Sequence, residues 1–258
     1  MTADRQEIQI PVERGYLDGT VVTPGTTIPG VLFVHGWGGD QAQYMERARQ
    51  AAALGCVCLT FDLTGHARTR EAQETVTRET NLADVLAAYD TLAAHPLVDQ
   101  TSIAVIGSSY GGYLASIVTS LRPVRWLGLR VPALYLDDGW TIAKRALHTE
   151  HDLVAYRRRI VAASENRALR AAADFHGDVL LVESEHDQIV PHTVLASYLQ
   201  AFLRAHSLTY RVIDGADHGL SDEGSQHAYT ALVINWLAEM IGGRRAGSRG
   251  EAPGPAAR

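Results

Sequence analysis

The stretch SIAVIGSSYGGYLA, Ser102 to Ala115, decides how this chain is read. Its first seven residues form a continuous apolar run, the pattern of a strand buried on both faces of a parallel sheet. From Gly111 to Leu121 the pattern turns helical, so strand gives way to helix within a few residues. At the junction, Gly107, Ser109 and Gly111 satisfy Gly-x-Ser-x-Gly. Such a turn forces its central serine into a strained conformation that lifts the hydroxyl clear, and it needs positions without a side chain two before and two after. Ser108 has Ile106 and Tyr110 at those offsets, which leaves Ser109 as the candidate nucleophile and Ser108 as support.

Working outward, four more runs share the character of that strand: GVLFVHG at 30–36, CVCLTFD at 56–62, VRWLGLRV at 124–131 and DVLLVES at 178–184. A last strand is expected at LTYRVID, 208–214, and two short antiparallel strands open the chain at Glu7 to Val12 and Leu17 to Thr23, with a turn at Gly15. Helical period fills Gln41 to Leu54, Glu79 to Ala94, His192 to Ala205 and Ser225 to Ile241. Strand and helix alternate, which predicts an α/β fold with a doubly wound, mostly parallel sheet of eight strands and a site at the carboxyl ends of the strands. Residues 1–131 and 178–242 form the expected core. The 132–177 segment is too long for a simple crossover and is read as a small helical cap, with one long crossover helix as the alternative. Residues 243–258, rich in Gly, Pro, Ala and Arg, are expected to be a disordered tail.

A serine hydroxyl needs an adjacent base, which this architecture places late in the chain after an acid. Asp187 follows the DVLLVES strand and His218 follows LTYRVID, both in strand-end loops. Asp187 would orient the imidazole while His218 takes and returns the Ser109 proton. His186, His192, His206 and His227 compete with His218. Glu183, Glu185 and the Asp137–Asp138 pair compete for the acid. The oxyanion of a tetrahedral intermediate needs donors, and the expected ones are the backbone N–H groups of Tyr110 and of Trp37 in HGWGG, His35 to Gly39. His35, Gly36, Gly107 and Gly111 support these turns.

With these motifs in order, the chain resembles the α/β-hydrolase superfamily over about residues 8 to 242. IGSSYGGYLA, SEHDQIVP and GADHG are similar to its dienelactone-hydrolase-like, cinnamoyl-esterase-like and prolyl-oligopeptidase-like branches. The resemblance implies Ser109 as nucleophile, Asp187 as acid, His218 as base and Trp37 and Tyr110 as oxyanion donors, with no cofactor. It departs from the pattern after the fourth strand, where FDLTGHARTR has Thr64 at a usual Arg and Ala67 at a usual Gly, and at Ser184, where many relatives have Gly.

The net charge of −6 offers no positive field for a phosphate backbone, so nucleic acid is not expected. No apolar run reaches membrane-span length and the chain opens without a signal-peptide stretch, so a cytoplasmic protein is expected. The oligomeric state is open. Only Lys144 among 23 basic residues is a lysine, a composition read as a codon habit. Cys56 and Cys58 alternate on one strand and are read as buried thiols. His148 and His151 have a spacing that would permit a metal, but no metal is expected. Cap charges are nearly balanced, which gives only a faint case for an acidic acyl group. Tyr135, Tyr156, Trp140, Trp37 and Tyr44 would serve either as an aromatic wall or as packing. The reading is a serine hydrolase that cleaves a small-molecule carboxylic ester, its substrate enclosed between strand ends and cap. The alternatives are a thioesterase, a short-peptide hydrolase, a carbon–carbon bond hydrolase or a haloperoxidase-like or lyase activity, and a ligand-binding protein without turnover.

Overall fold

A computed structural model describes residues 3–12, 15–24, 27–147 and 152–247, with the backbone alone at 3–24 and 244–247. Six parallel strands form the sheet: β3 (Ile28–Val34), β4 (Val57–Thr60), β5 (Val98–Ser108), β6 (Trp126–Arg130), β7 (Asp178–Ser184) and β8 (Ser207–Ile213). Their order is β4-β3-β5-β6-β7-β8. The two opening strands, β1 (Ala3–Val12) and β2 (Gly15–Pro24), pair with each other in a separate antiparallel hairpin. The expected eight-stranded sheet is therefore six-stranded among the described residues. Alternation fixes a strand's period but not its partner, and β1 and β2 find all their paired hydrogen bonds in one another.

The central strands are apolar throughout because both faces are covered. In β5, Ile103 and Val105 join a core with α2 (Arg78–Ala93), α3 (Tyr110–Val118), α5 (Arg167–Ala173) and α6 (His192–Ala201), and Ala104 and Ile106 join a core with α1 (Met45–Ala53) and α7 (Glu223–Gly247). β3 divides the same way, with Leu32 and Val34 on one side and Val31 and Phe33 on the other. α7 runs to Gly247, so the expected tail boundary at 242 falls inside the helix; residues 248–258 lie outside the described ones. Between β6 and β7 the described residues form two short 3-10 turns, α4 (Leu153–Arg157) and α5, not one long helix. His148 and His151 lie outside the described residues. No described helix is long and apolar enough to cross a membrane.

After β3 the chain moves to one side to make β4, then to the other to make β5. The carboxyl ends of β3 and β5 therefore flank the point where the winding reverses, and such sheets open a crevice there.

Candidate active site

Ser109 sits between β5 and α3 with φ 52° and ψ −118°, a conformation that costs a residue with a side chain roughly 1–3 kcal/mol. Three backbone bonds hold it: its N–H donates to the Arg130 carbonyl at 2.9 Å, and its carbonyl accepts from Tyr113 and Ala133 at 3.0 Å each. The flanking glycines are required by close approach. A Cβ on Gly107 would lie 2.5 Å from the Gly111 oxygen, and one on Gly111 would lie 2.3 Å from the Val34 oxygen.

His218 follows β8 and places Nε2 3.0 Å from Ser109 Oγ and Nδ1 2.6 Å from Asp187 Oδ2. Asp187 follows β7, and its Oδ1 accepts the Ile189 and Val190 amides at 2.8 Å each. An ionised Asp187 only accepts, so Nδ1 of His218 donates and Nε2 keeps a lone pair toward the Ser109 hydroxyl. The two loops are cross-tied by His186 N–H to the Ala216 carbonyl at 2.9 Å and Gly215 N–H to Glu185 Oε2 at 2.7 Å. None of the competing groups contacts Ser109 or His218 among the described residues. Asp137 holds Arg170 at 2.5 Å and the Arg167 amide, while Asp138 is exposed to solvent. Glu183 receives Tyr210 and His192, His206 pairs with Asp178 at 2.7 Å, and His227 is exposed on α7.

Tyr110 opens α3, so its amide is a first-turn donor without an intrahelical acceptor. Trp37 lies in a turn closed by Gly39 N–H to the Gly36 carbonyl at 3.0 Å, and Gly36 packs so closely that a Cβ there would lie 3.3 Å from Ser109 Cβ. Two histidines fix this turn. His35 Nε2 accepts the Leu63 amide at 3.0 Å while Nδ1 donates to the Gly36 carbonyl at 2.8 Å, and His66 Nε2 accepts the Gly38 amide at 3.0 Å. Each must be neutral to accept, and burial lowers both pKa values. The loop after β4, where the sequence departs from the family pattern, thus holds the turn carrying Trp37. Thr64, at the position of the usual Arg, anchors that loop by N–H and Oγ to Asp84 at 2.8 and 3.1 Å. Ala67 adopts φ 46°, in the left-handed region that the usual Gly enters freely.

Arg130, at the end of β6, was also missed. Its Nη2 donates to the His218 carbonyl at 2.8 Å and Nη1 to Ser184 Oγ at 3.1 Å, with Nε 3.4 Å from Ser108 Oγ. It ties together the strands that carry all three residues, and Ser184 supplies a hydroxyl that Gly would lack. Beside Ser109 lies a cavity of about 360 Å³, lined by the Gly36–Gly39 turn, Arg47, Arg130, the loop at His218 and Tyr229. None of the described residues of 132–177 lines it. That segment instead presents Lys144 to the Trp37 ring at 4.3 Å and to Tyr110 and Tyr135 behind it, and burial lowers the lysine pKa. Of the aromatic candidates, Trp37 and Tyr44 line the cavity; Tyr135 and Tyr156 belong to the core, and Trp140 packs against it. Of the two cysteines read as buried, Cys56 is buried and Cys58 only half-buried, though desolvation still pushes the Cys58 thiol up to about 12.

Comparison with solved structures gives the same fold at low identity. A monoacylglycerol lipase of Paleococcus ferrophilus superposes with a TM-score of 0.61 at 16% identity over 93% of this chain and 99% of its own. One of two metagenome-derived lipolytic enzymes, LipS and LipT, gives 0.63 at 16% over 83% and 95%. An acylaminoacyl peptidase of Pyrococcus horikoshii gives 0.61 at 18% identity over 93% of this chain but only 44% of its own. No curated protein matches the chain. The sequence pattern of the prolyl oligopeptidase family matches residues 42–244, from the helix that follows the Trp37 turn through the loops bearing Ser109, Asp187 and His218. The chain is therefore a hydrolase of the α/β-hydrolase superfamily and belongs to the prolyl oligopeptidase family.

Proposed function

We propose that the protein cleaves a small-molecule carboxylic ester through an acyl-enzyme, with Ser109 as nucleophile, His218 as general base and acid, and Asp187 orienting the imidazole. The observation that carries this reading is the unbroken chain from Ser109 Oγ through His218 to Asp187, at 3.0 and 2.6 Å. As Ser109 attacks, His218 Nε2 takes its proton and Asp187 stabilises the imidazolium. The Trp37 and Tyr110 amides receive the oxyanion. Collapse expels the alcohol, which collects the proton from His218, and a water then attacks the acyl group by the same route in reverse. In this reading residues 132–177 act as a cap that braces the Trp37 turn through Lys144.

Family membership favours a second reading, hydrolysis of a short peptide by the same groups. The test is mass-spectrometric mapping of a fluorophosphonate adduct on the wild type and on Ser109→Ala, with turnover of aryl esters graded by acyl length set against peptidyl anilides. Labelling at Ser109 with ester turnover that exceeds anilide turnover is the expected outcome. Labelling with efficient anilide turnover and little ester turnover would transfer the conclusion to a peptidase. No labelling of folded protein would remove Ser109 as nucleophile.

A further inference from the structure

Among the described residues, the walls of the cavity beside Ser109 include two arginines and no carboxylate. Arg47, on α1, is 8% exposed and Arg130 is 7% exposed, and neither makes an ion pair among the described residues. Both guanidinium groups stay charged in any ordinary medium. The Tyr229 ring lies against both, 4.6 Å from the Arg47 guanidinium and 5.5 Å from that of Arg130, and it disperses their charges without cancelling them. An uncompensated buried charge is costly, so two of them at one catalytic cavity call for an anion.

The two differ in what they have left to give. Every nitrogen of Arg130 already faces a neutral oxygen of Ser108, Ser184 or His218. Arg47 donates from Nη1 to the Gln43 carbonyl at 2.8 Å and its Nε is sealed off without a partner, which leaves Nη2, with accessible surface and no hydrogen bond among the described residues, to meet a ligand in the cavity. One planar fork with a donor to spare, backed by a second fixed positive charge, suits the planar, monoanionic carboxylate group.

We infer that the substrate carries a carboxylate in addition to its scissile bond, and that Arg47 is the residue that selects it, with Arg130 adding to the local field. The inference rests on the ester-hydrolase reading only for the placement of the scissile bond at Ser109. The anion subsite itself can be tested without turnover.

Two pairs of esters place the charge on either side of the bond. On the acyl side, the p-nitrophenyl half-ester of adipic acid is set against that of adipic acid monoamide. On the leaving-group side, the butyrate of p-hydroxybenzoic acid is set against that of p-hydroxybenzamide. Binding is measured by calorimetry on Ser109→Ala, and kcat/KM on otherwise wild-type protein. In one of the pairs the carboxylate is expected to bind tighter than its amide by about thirtyfold, the low end for a buried charge pair. Arg47→Met should bring that ratio to near one, and Arg47→Lys should retain part of it. Equal binding of acid and amide in both pairs overturns the inference, as does a preference that survives Arg47→Met. A binding preference without hydrolysis would uphold the anion subsite and refute ester cleavage instead. The ratio on Ser109→Ala alone decides the matter should Arg47→Met fail to fold.

Discussion

Replacing Asp187 by Asn tests the proposed roles of both Asp187 and His218 because the structure fixes which way the new amide faces. Oδ1 accepts two backbone N–H groups, from Ile189 and Val190, both at 2.8 Å. An amide nitrogen cannot accept those bonds, so the Asn oxygen takes that position and its NH2 faces His218 Nδ1, 2.6 Å away in the native protein. Nδ1 must then be the acceptor and the ring proton moves to Nε2, where it meets Ser109 Oγ and can no longer take a proton from it. With the wrong tautomer locked in place, kcat should fall by about ten-thousandfold. KM should move little, because Asp187 does not line the cavity. Stability should change little as well. Both amide bonds persist with a neutral acceptor, so the loss is about 1 kcal/mol and Tm drops by about 2–4 °C. The assay is steady-state turnover of an aryl ester alongside thermal unfolding, with Asp137→Asn as the control. Retention of more than a tenth of the activity in Asp187→Asn would refute the tautomer argument. Loss of activity in Asp137→Asn with Asp187→Asn intact would move the acid to the other loop.

Gly111→Ala should place a Cβ more than about 1 Å inside ordinary contact with the Val34 oxygen, push α3 off β3, lower stability by about 3 kcal/mol and lower kcat by about a hundredfold; calorimetry and turnover check both. Ala67→Gly should relieve the left-handed φ of 46° and raise stability by about 1 kcal/mol, read as a Tm increase of about 2–4 °C. His35 and His66 have folded pKa values below the ordinary 6.5, so the unfolded chain binds more protons as the pH drops through 6.5. Their contribution is complete above that pH and is lost below it as the pH falls toward the folded values. Tm should therefore decline from pH 7 to pH 5, less steeply in His66→Ala; an unchanged slope would sink the assignment. The same variant frees the Gly38 amide and loosens the Trp37 turn, so its kcat should fall by about tenfold or more, as for a weakened oxyanion site, with a smaller change in KM.

The features that could be read from the sequence are those fixed by local backbone geometry or by position at a strand end. Gly107 and Gly111 flank Ser109 because nothing with a Cβ fits there, and this requirement is visible within five residues. Asp187 and His218 were reached because the carboxyl ends of β7 and β8 are where such a sheet opens, and both lie in those loops. The partner of a strand is not local information, so β1 and β2 read correctly as strands yet were placed in the wrong sheet. His66 was overlooked for a related reason. Its imidazole is defined by what it accepts, the Gly38 amide 28 residues earlier, and no spacing encodes that bond.

The arginines show why residue type alone gave no signal. Arg130 stands next to last in VRWLGLRV, which reads as core, but it is the final residue of β6, and at the carboxyl edge of a sheet that side chain emerges beside the site and reaches the His218 carbonyl 88 residues later. Arg47 occupies α1, where an isolated positive charge would ordinarily face water. It is buried instead because α1 and α7 pack together and lay Tyr229 against its guanidinium. In a chain with 23 basic residues, of which one is a lysine, a composition-level reading treats every arginine alike. What separates Arg47 from its counterparts is physical: most described surface arginines that meet a carboxylate do so in the open, as Arg159 does with Glu165 and Arg122 with Asp90. Arg47 is enclosed, has no carboxylate, and borders the cavity that holds Ser109. A charge kept in that position at that cost is most simply balanced by the ligand, so the same packing that hid the residue from the sequence makes it the discriminating group of the site.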